Sequence, residues 1–447
     1  MKGSTLVLAA FATAFFPRLL SSMGFPAPIN FVHFAVVPLV CVLALTQTRV
    51  KNRQQIAIAN ALLIGLLLLL TVMIASAILN GAGIVNVVLD FVLLTEPIIL
   101  LLAIMSVPLS IKGVQRFRAW ILGFGFTHLT LALLQALLLR VGIMSQPNSL
   151  TIEDNIQGVF YISYGGHVVG ATVSMCFCLY YLVSAKTVPL WIRVSVCFAG
   201  FVQIILADAK QVILVAIVAW VLLILSRVKN IGLTLQYLIV AIVLLSAFWW
   251  CVDNLELFAA YKTWIRPEIY GPDGDATVLK SGPLRMIPTY YESVLNWFIG
   301  LGPGHTIGRL GGWMIKDYSD LLDPLGATTH PVTEVIWATW RGYYLDSSMF
   351  SPFWGLAAIW GDLGFLGLAA YLSLWLVVYQ RLCPDDFSRF ITFNVIVNGF
   401  VFTLLEEPGF MLTVAVLIGL QWQERQLKRQ QQQERQAAYY MALKSFE

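Results

Sequence analysis

Three short stretches of this 447-residue chain place ionisable side chains among apolar neighbours. The first is Asp208-Ala209-Lys210-Gln211, a tight connection between two apolar runs. Charge at membrane depth is expensive, so such a pair either satisfies itself or marks a working site. An internal Asp–Lys pair or a snorkelling lysine is the plain alternative. The second stretch holds Arg285, then Tyr290-Tyr291-Glu292, then Leu295-Asn296-Trp297-Phe298-Ile299-Gly300-Leu301-Gly302-Pro303-Gly304-His305. This reads as a short amphipathic helix closed by a Gly-rich turn, because glycine enters the left-handed region cheaply. No Gly-Lys-Ser/Thr follows, so it is not a nucleotide-phosphate loop. The third is Tyr343-Tyr344-Leu345-Asp346-Ser347-Ser348-Met349, running into Trp360-Gly361-Asp362-Leu363-Gly364-Phe365-Leu366-Gly367. Glycine every third residue permits close packing. Asp346 and Asp362 sit near membrane boundaries and have no such simple account.

The elements that must position these residues follow from composition. The chain is 59% apolar and 12% charged, against about 45–50% and about 25% in soluble domains. That excludes a cytosolic enzyme, a secreted disulfide scaffold and a disordered chain, and predicts an all-α polytopic membrane protein. A span needs roughly 20 apolar residues. Candidate spans fall at about 5–20, 29–47, 56–79, 84–110, 119–143, 159–184, 190–206, 209–226, 232–252, 353–380, 390–406 and 409–422. The first is expected to be a span rather than a signal peptide, whose apolar core would be longer. Asp90, Glu96 and Pro97 suggest that 84–110 is broken or partly interfacial. About 12 transmembrane helices are therefore expected.

Basic residues set the orientation. One set of connections carries Arg49, Lys51 and Arg53, then Lys112, Arg116 and Arg118, then Lys186 and Arg193. It continues with Arg227 and Lys229, Arg381 and Arg389, and the tail from Arg425 to Lys444. The alternate connections 21–28, 80–83, 144–158 and 406–409 have no Lys or Arg. Both termini are expected to be cytoplasmic. The chain then divides into transmembrane helices 1–9 (1–252), one large outer loop (253–352), transmembrane helices 10–12 (353–422) and a cytoplasmic tail (423–447). A loop that long should be partly helical and functional. The six cysteines lie in or beside apolar runs, which argues against disulfides and zinc. No other metal-ligand spacing stands out, no cofactor is implied, and the basic residues do not form a nucleic-acid surface.

In this order and on this topology the three stretches resemble the O-antigen ligase and O-antigen polymerase superfamily, over about residues 200–380. The matching positions are Lys210, then Arg285 with Gly300-Leu301-Gly302-Pro303-Gly304, then Asp362-Leu363-Gly364. Two departures stand out: lysine occupies a position where arginine is commoner, and the His-Asn pair of ligases is absent. The second favours a polymerase. The resemblance implies a metal-independent glycosyltransferase in a bacterial inner (plasma) membrane, with its site facing the periplasm. The donor would be a polyprenyl-diphosphate (undecaprenyl-type) oligosaccharide and the acceptor a second glycan. A flippase and a chain-length regulator would be its companions. Arginine suits such a donor, because its planar fork makes paired bonds to phosphate oxygens as the leaving group gains charge. Arg285 is the first candidate, with Lys210 beside it and Arg309 or Arg341 as a third contact. Candidates for the base are Asp346, Glu334, His330, His305 and Glu292. The alternatives are ligase-type transfer to a lipid or protein acceptor, and a transporter or flippase using Asp90, Glu96 and Arg140. A transferase with an acidic first outer loop is disfavoured, since 21–28 has no carboxylate.

Overall fold

The computed structural model describes residues 3–47, 52–144, 151–161, 165–227, 231–256, 258, 261–262, 266–341 and 350–444. Among them there is no strand, and the chain is a helical membrane protein. In order the helices are α1 (Gly3–Phe15), α2 (Pro17–Ser22), α3 (His33–Gln47), α4 (Arg53–Asn80), α5 (Ile84–Ser106) and α6 (Ile111–Arg140). Then come α7 (Gly166–Ser184), α8 (Leu190–Leu206), α9 (Lys210–Leu225) and α10 (Ile231–Asn254). The short helices α11 (Pro267–Tyr270), α12 (Asp275–Met286), α13 (Leu295–Ile299), α14 (Ile315–Asp317), α15 (Ser319–Leu322) and α16 (Pro331–Arg341) follow. The chain closes with α17 (Gly355–Leu382), α18 (Asp386–Asn398) and α19 (Pro408–Lys444).

Among the described residues, seven helices are long and apolar enough to cross a membrane: Ala27–Thr46, α4, α5, α6, α7, Leu235–Asn254 and α17. The apolar helices α1, α8 and α9 are shorter. Helix starts follow local chemistry. The Asn52 side chain accepts from the Gln54 N–H at 2.7 Å, and the Asp385 side chain accepts from the Ser388 N–H at 2.9 Å, each satisfying a donor left open at a helix end. The last helix runs unbroken from the membrane segment into the Gln-rich tail, as expected for a solvated helical extension.

The expectation that 84–110 is broken or interfacial is corrected. Helix α5 is continuous through Pro97 and lies at the centre of the bundle, packed on α19, α3 and α4. Glu96 is tolerated there because His33 Nδ1 meets it at 2.7 Å, whereas Asp90 Oδ2 is buried without a hydrogen-bond partner among the described residues. Helix α10 is the opposite case, with only 11% of its apolar window buried against 72% for α5. Its exposed Val243, Leu244 and Trp250 suit a lipid-facing wall.

Two of the connections lacking Lys and Arg, 80–83 and 406–409, meet the segment 266–341. Asn80 and Gly83 at the α4–α5 turn bond Gly300 and Thr328, Arg18 of α2 meets Glu407 before α19, and Arg309 meets the same carboxylate. The segment is therefore fastened at Gly300, Thr328 and Arg309 to the α4–α5 turn and to the connection before α19.

Candidate functional site

The Gly-rich turn is docked on α17 by main-chain bonds. Helix α13 ends at Gly300 (φ +73°, ψ −161°), a conformation nearly closed to other residues. The Leu301 N–H donates to Gly361 O at 2.8 Å and the Gly302 N–H to Asp362 O at 3.0 Å. The Gly304 N–H donates to Asp362 Oδ2 at 3.0 Å, and Ser76 of α4 donates to Asp362 O at 2.9 Å. Helix α17 accommodates this by breaking at Gly364 (φ +64°). A Cβ there would lie 2.2 Å from the Phe298 carbonyl carbon, and one at Gly300 would lie 2.3 Å from the Asp362 carbonyl. The two glycine motifs, about 60 residues apart in sequence, are thus halves of one joint. These glycines serve packing, against a loop rather than a helix.

A polar network locks the joint. Asn296 Nδ2 donates to Asn80 Oδ1 and to Gly300 O, while buried Asn86 donates to Pro303 O and Thr328 O. His305 Nδ1 lies 2.8 Å from Leu301 O, so that nitrogen carries the proton; Nε2 then accepts from the Thr328 hydroxyl at 2.8 Å. Burial pushes His305 down to about 4, and it stays neutral. Both its nitrogens have partners in this structure, so it could act as a base only by exchanging the Thr328 hydroxyl for an acceptor hydroxyl at Nε2. His330, 5.7 Å away ring to ring, accepts the Val332 N–H at Nδ1, and burial lowers it too.

The remaining sequence candidates scatter. Glu334 makes an exposed ion pair with Lys316 at 3.1 Å, a contact of about 0–1 kcal/mol. Arg341 lies over the Trp337 ring at 5.4 Å. Arg309 is engaged: its guanidinium pairs with Glu407, and its backbone N–H donates to Glu406 Oε2 at 2.5 Å. Lys210 pairs with Asp208 at 2.8 Å and sits 5.8 Å from the Tyr261 ring. Asp346 lies outside the described residues. Arg285 is different. Its guanidinium is exposed, donates only to Val278 O at 2.8 Å, and has no ion pair among the described residues. It stands at a cleft of about 260 Å³ between α12 and α16, lined by Leu279, Gly282, Met286, Ile336 and Thr339.

Three charged groupings were not visible in the sequence, although Asp90 and Asp362 were singled out there separately. Arg18 and Arg309 share the Glu407 carboxylate, Arg18 at 3.2 Å. Asp90, Asp362 and Glu406, all buried, lie within electrostatic reach of one another. Lys280 of α12 points inward, donating to Val401 O and to Ser351 O (3.2 Å) beside the Trp354 ring, and burial drives it down to about 7. Asp90 and Asp362 stood out singly, and the adjacent Glu406-Glu407 in an apolar run was a further signal, whereas nothing local marks Arg18 or Lys280. No family model matches the chain, and no curated protein matches it in sequence.

Proposed function

We propose that this protein is a membrane glycosyltransferase that polymerises polyprenyl-diphosphate-linked oligosaccharides at the outer face of a bacterial inner membrane. The observation that carries the reading is Arg285: a guanidinium free of any carboxylate among the described residues, at the mouth of a cleft, on a segment fixed to the bundle end. In this reading all twelve expected spans cross the membrane: the seven long helices, α1, α8 and α9, together with α18 and the first part of α19. The segment 253–352 lies in the periplasm.

The chemistry is a displacement at the anomeric carbon. The acceptor hydroxyl oxygen attacks, the bond from that carbon to the diphosphate oxygen breaks, and the diphosphate leaves with the electron pair. Arg285 makes two parallel bonds to the leaving phosphate as its charge grows. Lys210 supports the same group, and Tyr261 links its turn to the loop. A carboxylate takes the acceptor proton. His305 and Glu334 already have partners in Thr328 and Lys316, so this reading prefers Glu292, which is exposed, or Asp346, ahead of His330, His305 and Glu334.

A second reading, a transporter or flippase, is favoured by the buried Asp90, Asp362 and Glu406, since carboxylates at membrane depth line many ion paths. Deletion of the gene with gel analysis of surface glycan separates the readings. Single-repeat glycan supports polymerisation. Full-length chains left on the lipid carrier indicate a ligase, and repeat units trapped at the cytoplasmic face indicate a flippase.

A further inference from the structure

Helix α13 (Leu295–Ile299) is built inside out for a loop helix in water. Its one polar residue, Asn296, is 3% exposed and faces the protein. There its amide donates to Asn80 and to Gly300 O, and its side-chain carbonyl accepts the Ser293 N–H at 2.9 Å. Its large apolar residues face the other way. Val294, just before the helix, is 75% exposed, Leu295 55%, Phe298 48% and Trp297 41%. At roughly 100° per residue, positions 294, 295, 297 and 298 share one side and position 296 falls on the opposite one. A helix between a protein and water carries the reverse pattern, polar out and apolar in. A patch of this kind marks contact with a membrane or with another protein.

The neighbours of α13 decide between the two. Trp297 stacks on Phe365 of α17, with ring centres 6.3 Å apart and 11° between the planes. A Cβ on Gly364 would stand 2.2 Å from the Phe298 carbonyl carbon, so the backbones meet at this level. Phe365 and Leu366 are themselves half exposed, on a helix long and apolar enough to cross a membrane. Beyond the break at Gly364, that helix is regular to Leu382. From Phe365 to Arg381 it rises about 24 Å, less than the roughly 30 Å of a hydrocarbon core. Arg381 marks one polar boundary of the span, so Phe365 lies inside the core, close to the opposite edge. The side of α13 that carries Trp297 is continuous with this lipid-facing part of α17.

We propose that α13 is a re-entrant wedge, with Val294, Leu295, Trp297 and Phe298 lying among lipid acyl chains at the membrane edge. The segment 266–341 is then anchored in the bilayer as well as to the bundle. The inference goes beyond the proposed function and does not depend on it, since it uses only the helix pattern and the level of α17. Acyl chains, not charged headgroups, are the partner, because no Lys or Arg stands between Arg285 and Arg309. Tyr291, whose ring lies 5.2 Å from that of Trp297, adds to an aromatic pair of the type that gathers at membrane edges.

The test uses the full-length protein in nanodiscs, with a bimane probe on Val294→Cys or on Phe298→Cys. Two positions are used so that one variant that fails to fold does not decide the matter. The six native cysteines are buried or half-buried, and the wild-type signal is subtracted. Exposed Val243 on α10 gives the lipid reference and exposed Asp273 the aqueous one. A nitroxide on the lipid acyl chain should quench both α13 probes about as strongly as the probe at Val243, and several-fold more than the one at Asp273. Iodide in the water should give the reverse order. Quenching should be equal in phosphatidylcholine and phosphatidylglycerol discs. Strong iodide quenching with little lipid quenching at both positions overturns the wedge. Protection from both quenchers overturns it too, because protein, from this chain or a second copy, then covers the face. A clear dependence on lipid charge overturns the acyl contact.

Discussion

Replacing Gly300 by alanine should release the loop joint, and the size of the effect can be built from the structure. The backbone at φ +73°, ψ −161° costs a non-glycine residue about 1–3 kcal/mol. The new Cβ would stand 2.3 Å from the Asp362 carbonyl, so the turn must move away from α17. That movement lengthens the Leu301 and Gly302 bonds, each worth about 0.5–1.5 kcal/mol, and the Gly304 bond to the carboxylate, worth about 1.5–3 kcal/mol. Release should therefore cost about 4–6 kcal/mol, given that neighbouring contributions do not add fully. Gly326 supplies the control. It also has positive φ (+91°), but nothing lies within 4 Å of its Cβ position, so alanine there should cost only about 1–2 kcal/mol. The assay is limited proteolysis of the 266–341 segment in membranes, with the rate of loop cleavage for each variant. Gly300→Ala should be cut far faster than Gly326→Ala. Equal protection in the two would refute the docking argument.

Three further outcomes are expected. Because Lys280 is driven down to about 7, an unfolded chain holds a proton between pH 7 and pH 10 that the folded one lacks; resistance to unfolding in detergent should rise across that window and lie flat below it, and Lys280→Met should abolish the rise. A wild-type profile without that rise would contradict the buried ammonium. Glu407→Ala, which strands two guanidiniums, should destabilise by about 3–5 kcal/mol and by more than Arg18→Ala, which leaves Arg309 in place; thermal unfolding checks the order. Cysteines introduced at Asp273 and Gln432, both exposed, should label from outside and inside respectively, and labelling from one side would end the twelve-span account.

The helical membrane character was legible because apolar length is a local signal. Seven of the expected spans fall on helices long and apolar enough to cross a membrane among the described residues, and the Gly300 turn ends a helix where glycine was expected to end one. The continuity of α5 was not legible, since Asp90, Glu96 and Pro97 read as interruptions until His33, 63 residues away, is seen to meet Glu96. For the site, the sequence showed the two glycine motifs but not that one seats the other, because that contact is made by backbone atoms. It offered Arg309 as a diphosphate contact and His305 as a base without showing that Glu407 and Thr328 meet them, because those partners are distant in sequence. Lys280 reads in sequence as an ordinary loop cation, and its burial depends on Val401 and Ser351 from distant segments.

The central claim turns on Arg285, whose guanidinium has no carboxylate among the described residues and stands at an open cleft. Lysine at this position keeps the charge but loses the paired donors. A clamp on a leaving diphosphate should therefore lose about 10²–10³ in rate in both Arg285→Lys and Arg285→Ala. The decisive measurement is transfer from a lipid-linked repeat unit by membranes containing each variant at matched expression. Severe loss in both variants, with normal proteolytic protection of the loop, is the predicted result; near-normal glycan length in both would contradict the account.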